Sequence, residues 1–172
     1  SDIDDILRES RKINKEINDT VTEMMKRSKK TNDEIREKVK EVREESEKTN
    51  EEIRREPRRK EEVRELIKRD KERIDKALRE LRELIKKDEE EIKRALRDLE
   101  RLIRENRERI KKLLKDEKLV KELEDELRKS EERARRIIER LKEELKKTRK
   151  EIEDIIRELR KKLEDTLRDV EK

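Results

Sequence analysis

One pattern of residues recurs every 18 positions along residues 66–110, which read LIKRDKERIDKALRELRELIKKDEEEIKRALRDLERLIRENRERI. Each repeat carries a polar residue at the same place within an apolar stripe, namely Asp70, Asp88 and Asn106. Eighteen residues make five turns of an α-helix, so these residues lie on one face of a straight helix. The same spacing occurs on either side of this segment, in Ser10, Ser28 and Ser46 and in Ser130, Thr148 and Thr166. The sequence therefore predicts three long helices with polar residues at regular levels.

The composition is that of an all-α protein. Charged residues fill 63% of the 172 positions, and Gly, Cys, His and aromatic residues are absent. Ordinary domains carry about 25% charged residues, and such an excess of charge normally indicates disorder. Here the 27% of apolar residues follow helical stripes, and most of the remainder is Glu, Lys and Arg, which are strong helix formers.

Two breaks in the apolar pattern divide the chain into three helices. Pro57, the only proline, ends the first stripe, because proline inside a helix costs about 3 kcal/mol. The middle stripe ends at Leu114 and another begins out of phase at Leu119, which predicts a turn at 115–118 with Asp116 as N-cap. We predict helices over residues 2–56, 58–115 and 117–172. Helices of about 55 residues joined by short turns form a single elongated, antiparallel, up-down-up three-helix bundle, near-untwisted and about 80 Å long.

The polar residues provide an independent check of this arrangement. In antiparallel helices, residues at one level are equally far along the chain from the turn between them. Residue 58 is midway between Ser46 and Asp70, and residue 118 is midway between Asp70 and Thr166, which are the turns inferred from the stripes. A buried polar group without a partner costs roughly 1–3 kcal/mol, so we predict layers whose side chains satisfy one another and fix the register. With the adjacent asparagines, the layers are Ser10, Asn14, Asn106 and Ser130; Ser28, Asn32, Asp88 and Thr148; and Ser46, Asn50, Asp70 and Thr166.

The residue types do not favour an enzyme, a metal site or a nucleic-acid interface. Catalysis needs a base with a tuned pKa beside a nucleophile and a cleft for substrate, and the chain has no His or Cys. Calcium takes about 6–8 oxygen ligands, which one Asp in a layer does not supply. A net charge of +5 with interspersed signs and no aromatic residue is not typical of nucleic-acid binding. We therefore predict no catalytic residue, metal, cofactor or nucleic-acid partner. No apolar run approaches the ~18 residues of a membrane span, so we expect a soluble protein, cytoplasmic when expressed in bacteria.

The 18-residue repeat, the buried Ser, Thr, Asn and Asp layers and the missing residue types resemble de novo designed straight helical bundles with hydrogen-bond networks. Such designs combine ideal backbones with fully connected polar layers. Natural spectrin-type three-helix repeats are the nearest alternative, but their helices are shorter and their cores contain aromatic residues. The resemblance implies a thermostable synthetic scaffold without a natural biochemical function, in which polar layers set the register.

Two other functions stay open for the first helix. Of its twelve stripe residues, only Ile35, Val39, Val42 and Ile53 follow Met25, so we expect residues 26–56 to be the loosest part of the bundle. This resembles the latch helix of designed caged switches, which implies exchange with a partner helix. Self-assembly through the polar face of the first helix is the third possibility. We expect a monomer that requires no partner.

Overall fold

The computed structural model describes residues 2–172, and within that range the chain is all-α. The helices are α1 (Asp2–Arg55), α2 (Lys60–Leu113) and α3 (Glu117–Glu171), of 54, 54 and 55 residues. No strand occurs among the described residues. The prediction of three helices of about 55 residues is confirmed. None of the described helices is long and apolar enough to cross a membrane.

Pro57 separates α1 from α2, as its lack of an N–H requires. The residue before a proline avoids the helical region, and α1 accordingly ends at Arg55. The Glu56 amide still donates to the Glu52 carbonyl at 3.3 Å, which closes the last turn. The first bond at the start of α2 runs from the Val63 amide to the Arg59 carbonyl at 3.1 Å. The helix thus begins at Lys60, two residues after the predicted start.

Asp116 caps the start of α3. Its Oδ1 accepts hydrogen bonds from the amides of Lys118 and Leu119 at 3.0 and 3.4 Å. These amides have no partner within the helix, so the carboxylate satisfies donors that would otherwise be left to solvent. The predicted N-cap at Asp116 is confirmed.

The contacts group the chain into two compact units, and α1, α2 and α3 each contribute a segment to both. Unit 1 is Ser1–Lys29 with Asp88–Glu144, and unit 2 is Lys30–Lys87 with Leu145–Lys172. That the chain forms a single domain stays a prediction.

In unit 1, α1 and α2 run antiparallel. Ser28 contacts Asp88, while Glu9, near the start of α1, pairs with Arg109 at 2.9 Å. The midpoint in sequence between the two contacting residues is 58 for the first pair and 59 for the second, as expected for helices that fold back at Pro57. The three-residue connection before Glu117 returns the chain beside α2, where Arg107 pairs with Glu131 at 2.9 Å.

In unit 2, the same up-down-up course is visible. Between α1 and α2, Glu45 pairs with Arg73 at 3.5 Å, a contact centred on residue 59. Between α2 and α3, Arg64 pairs with Glu171 at 3.0 Å and Arg82 with Glu153 at 2.9 Å, both centred between residues 117 and 118. Exposed ion pairs of this kind contribute roughly 0–1 kcal/mol each, so they report the register more than they stabilise it.

The apolar core draws unequally on the three helices. By relative exposure, α2 buries eleven apolar side chains and α3 buries ten, whereas α1 buries six: Ile17, Val21, Met24, Ile35, Val42 and Ile53. Apart from Ala134, α3 buries three more large apolar side chains than α1; at about 1.5–3 kcal/mol each, the difference amounts to roughly 4.5–9 kcal/mol as an upper estimate.

The smaller number of buried apolar side chains is found along the whole of α1. The sequence predicts it only for the second half, at residues 26–56. Three of its six buried apolar residues lie in unit 1 and three in unit 2. The additional apolar residues near the start do not reach the core: Ile3 is 48% exposed, and Ile6, Leu7 and Ile13 are half-buried. The number of apolar residues in the stripe is therefore larger than the number that is buried in the first half of α1.

Candidate functional site: buried polar side chains

In unit 1, a serine of α1 meets an aspartate of α2 inside the core. The Ser28 hydroxyl donates to Asp88 Oδ2 at 3.2 Å, and both side chains are at most 2% exposed. Burial is the main cause that raises the pKa of Asp88, from 3.8 to about 6. The Ser28 hydrogen bond opposes this shift, whereas the nearby charges of Glu91 and Glu89 add to it. Asp88 is thus a buried carboxyl group with a pKa about two units above that of an exposed aspartate.

In unit 2, the corresponding pair is Ser46 and Asp70. The Ser46 hydroxyl donates to Asp70 Oδ2 at 2.9 Å, and both side chains are fully buried. Burial raises the pKa of Asp70, while the Ser46 hydrogen bond and the charge of Arg73 lower it. Arg73 Nη1 lies 3.5 Å from Asp70 Oδ1, an ion-pair distance without hydrogen-bond geometry. Asp70 therefore has a cationic neighbour that partly offsets the cost of burying its charge.

One turn along α1, an asparagine reaches α3. The Thr166 hydroxyl lies 2.8 Å from Asn50 Oδ1 and 2.9 Å from the Lys162 carbonyl, so both oxygens are within reach of its single proton. Thr166 is 1% exposed. Unit 2 thus brings together the four residues predicted for this level, as one Ser–Asp contact and one Thr–Asn contact.

The corresponding residues of unit 1 are Ser10, Asn14, Asn106 and Ser130, and several of their polar atoms are buried without a hydrogen bond. Ser10 and Asn106 are at most 1% exposed, and Asn14 and Ser130 are half-buried. Within residues 2–172, no hydrogen-bond partner is found for Ser10 Oγ, Asn14 Oδ1 or either polar atom of the Asn106 amide. The polar residues at this repeat position are therefore hydrogen-bonded to one another in unit 2 but not in unit 1.

The remaining predicted residues are Asn32 and Thr148, which both belong to unit 2. Both are half-buried, and Asn32 Oδ1 has no hydrogen-bond partner in the described part of the chain. The prediction that Thr148 meets Ser28 and Asp88 stays a prediction.

A groove between α1 and α2 in unit 1 was not foreseen from the sequence. It encloses about 500 Å³ beside Asp88, with Met24 and Ile92 among its apolar lining residues. The sequence does contain a sign of this groove. Thr20 and Ala95, which both line it, are small residues at one level of the antiparallel pair, so little side-chain volume fills the space between the helices there. Acidic side chains outnumber basic ones in the lining, which comprises Asp19, Thr20, Glu23, Met24, Arg27, Asp88, Glu91, Ile92, Arg94, Ala95 and Asp98.

The chemistry available to these sites is hydrogen bonding within the core. Ser28 and Ser46 each face a carboxylate, but a serine that is at most 2% exposed offers no path for a substrate to its hydroxyl. No group of three or more Asp or Glu side chains among residues 2–172 is arranged to hold a metal ion.

No protein-family model matches the sequence, and a comparison with curated proteins finds no relative. Among solved structures, the chain is similar to one described as a computationally designed three helix bundle. The two share 20% sequence identity and a TM-score of 0.64, over 95% of this chain and 87% of that chain. At this identity the likeness is one of fold: the molecule is a three-helix bundle.

Proposed function

We propose that the chain is a designed structural scaffold, monomeric and without catalytic activity, in which buried polar pairs set the register of the helices. The main support is the repetition of one contact: Ser28 with Asp88 and Ser46 with Asp70, each a serine of α1 donating to an aspartate of α2. A slide of one turn that brings Asn32 and Asn50 opposite the carboxylates keeps polar neighbours, whereas a slide of one turn the other way brings Met24 and Val42 there and loses them. That loss gives the aligned register an advantage which Leu and Ile alone do not provide.

Replacing the pairs by leucine tests this role. In the variant with Ser28, Asp88, Ser46 and Asp70 all changed to Leu, we expect unfolding to require at least as much denaturant and the helices to occupy more than one register. A matched control, Ser46→Asp with Asp70→Ser, retains the hydrogen-bonding groups and reverses their positions. The control is expected to keep one register.

Spin labels can report the register within unit 2. The exposed residues Arg36 on α1 and Arg79 on α2 stand at one level of that unit, and each can be changed to Cys for labelling. One narrow interspin distance is expected for the parent and the control, and a broad or multiple distribution for the all-leucine variant. A single unchanged distance in the all-leucine variant would refute a register function of the polar pairs. Light scattering adds a test of the monomer, whose mass is 21.4 kDa.

A second candidate function, helix exchange by α1, is favoured by the unequal burial. Because α1 buries six apolar side chains against ten or more for each of its neighbours, it is the helix held with least apolar surface. A segment with few buried apolar contacts is the first to open in native-state exchange. An exchangeable α1 would make the bundle a binding or switch module that accepts a partner helix.

Amide hydrogen exchange separates the two functions. A scaffold is expected to protect α1, α2 and α3 alike, whereas an exchangeable α1 is expected to exchange as one block well before the others. Asn32→Leu serves as a matched variant, since it adds apolar burial to α1 alone and should slow exchange of α1 selectively. Equal protection in both proteins would eliminate the exchange function.

A further inference from the structure

We propose that Ser10, Asn14, Asn106 and Ser130 form an internal binding site for ordered water in unit 1. The first observation is the state of Asn106, which is 0% exposed and whose amide oxygen and nitrogen both lack a partner in the described chain. Ser10 Oγ and Asn14 Oδ1 are also buried and unpartnered within residues 2–172. Buried polar atoms are almost always hydrogen-bonded, and water is the usual partner where side chains do not reach one another.

The register of the helices brings these side chains to one level. Glu9 pairs with Arg109 at 2.9 Å, and Arg107 pairs with Glu131 at 2.9 Å. Each of these residues lies within three positions of Ser10, Asn106 or Ser130. The ion pairs also join α1 to α2 and α2 to α3 beside the polar residues, and Ser10 and Asn106 themselves are at most 1% exposed. Polar atoms buried to this degree are reached by discrete water molecules and not by bulk solvent.

A comparison between repeats supplies an independent argument from size. Ser130 occupies the position that Thr166 holds 36 residues later, and Ala134 occupies the position that Ile152 holds 18 residues later. Ala134 and Ile152 are both 3% exposed, so at this repeat position unit 1 buries a side chain that is smaller by three carbon atoms. Where Thr166 stands, its hydroxyl lies 2.8 Å from Asn50. Where Ser130 stands, a methyl group is missing, and its volume is about that of one water molecule.

The chemical groups match what water needs. A buried water molecule forms about three hydrogen bonds, as donor of two and acceptor of the rest. The Asn106 and Asn14 carbonyl oxygens accept, the Asn106 amide donates, and the serine hydroxyls do either. This set carries no charge, because α2 has Asn106 where its other repeats have Asp70 and Asp88. A neutral, mixed donor and acceptor set selects water over a cation or an anion.

Water-selective NMR on the isotope-labelled full-length protein tests the site. We expect nuclear Overhauser cross-peaks between water and the Asn106 side-chain amide, with the sign that indicates residence longer than molecular tumbling. The Asn50 amide provides an internal reference: it is half-buried and its carbonyl lies beside Thr166, so a water cross-peak with the sign of long residence is not expected there. Loss of the Asn106 cross-peak is expected in the double variant Ser130→Thr with Ala134→Ile, which restores the larger residues of the repeat. Ser130→Ala keeps the space and should retain the cross-peak.

A crystal structure of the unsubstituted chain gives a second measurement that does not depend on a variant folding. Water within about 2.7–3.2 Å of the Asn106 amide atoms would support the site. Direct bonds from Asn106 to Ser10 and Ser130, with no water between them, would overturn it. So would an Asn106 cross-peak that persists unchanged in the double variant.

Discussion

Replacing Asp88 by leucine is expected to stabilise the protein at pH 7. The carboxyl is 1% exposed, and its pKa is raised from 3.8 to about 6, so at pH 7 the folded state must keep a buried charge. A rise of this size corresponds to about 3 kcal/mol of disfavoured ionisation, at 1.36 kcal/mol for each factor of ten. Removing the carboxylate removes that cost.

Two further contributions to the stability of Asp88→Leu have opposite signs: the burial of the leucine side chain and the loss of the acceptor for Ser28. Burying a leucine side chain at this position contributes about 1.5–3 kcal/mol. The Ser28 hydroxyl loses its acceptor, which costs about 1–3 kcal/mol, towards the lower end because a helical serine can donate to the carbonyl four residues earlier. With a further cost for the change of side-chain shape, we expect a net gain of about 2 kcal/mol, or roughly 4–8 °C in Tm for a chain of this size.

Guanidinium denaturation followed by circular dichroism at pH 7 measures the change in the free energy of unfolding. Asp70→Leu is the matched comparison, and its gain should be smaller because Arg73 lies 3.5 Å from Asp70 and already offsets part of the charge. A loss of stability in Asp88→Leu of more than about 1 kcal/mol would mean that the Ser28–Asp88 hydrogen bond stabilises the fold more than burial of the carboxylate destabilises it.

Three further outcomes are expected. Because the folded-state pKa of Asp88 is raised, protonated Asp88 contributes stability that is fully present below pH 3.8 and is lost as pH rises through about 6. The free energy of unfolding of the parent, relative to that of Asp88→Asn, should therefore fall between these pH values in a series of denaturation curves. Asp116→Ala should lower the free energy of unfolding by about 1 kcal/mol, whereas Asp33→Ala, at an exposed position inside α1, should leave it within about 0.5 kcal/mol by the same assay. Leu127→Ala, at a 0% exposed position of α3, should cost about 2–5 kcal/mol, and a cost below 1 kcal/mol would contradict the packing described for unit 1.

The helices and their register could be predicted because both depend on periodicity. An 18-residue repeat keeps one face of a straight helix aligned, and the phase changes at Pro57 and near Asp116 locate the connections. Antiparallel pairing about those connections then determines which residues share a level. These inferences need only the rise and turn of the helix.

Hydrogen bonding at those levels could not be predicted in the same way. Ser46 reaches Asp70 at 2.9 Å, whereas Ser10, at the equivalent position, has no partner in the described chain. Whether a bond forms depends on side-chain rotamers and on helix separations that differ by about an ångström, and a repeat pattern carries neither. For a similar reason the sequence could not show that the first half of α1 is as loosely packed as the second: Ile3 belongs to the apolar stripe but is 48% exposed.

The equal spacing of the Ser–Asp contacts has a consequence for association between separate chains. If α1 moved by one full repeat, about 27 Å, Ser28 would face the position of Asp70 and Ser10 that of Asp88, so hydroxyls would again oppose carboxylates. Polar pairs repeated at one interval therefore disfavour the shift of one turn that brings Met24 and Val42 opposite the carboxylates, but they accept a shift of five turns. Within one chain the short connections prevent the longer shift, whereas nothing comparable restrains it between α1 of one molecule and α2 of another. Staggered, open-ended oligomers are thus the misassembly that this kind of repeat permits.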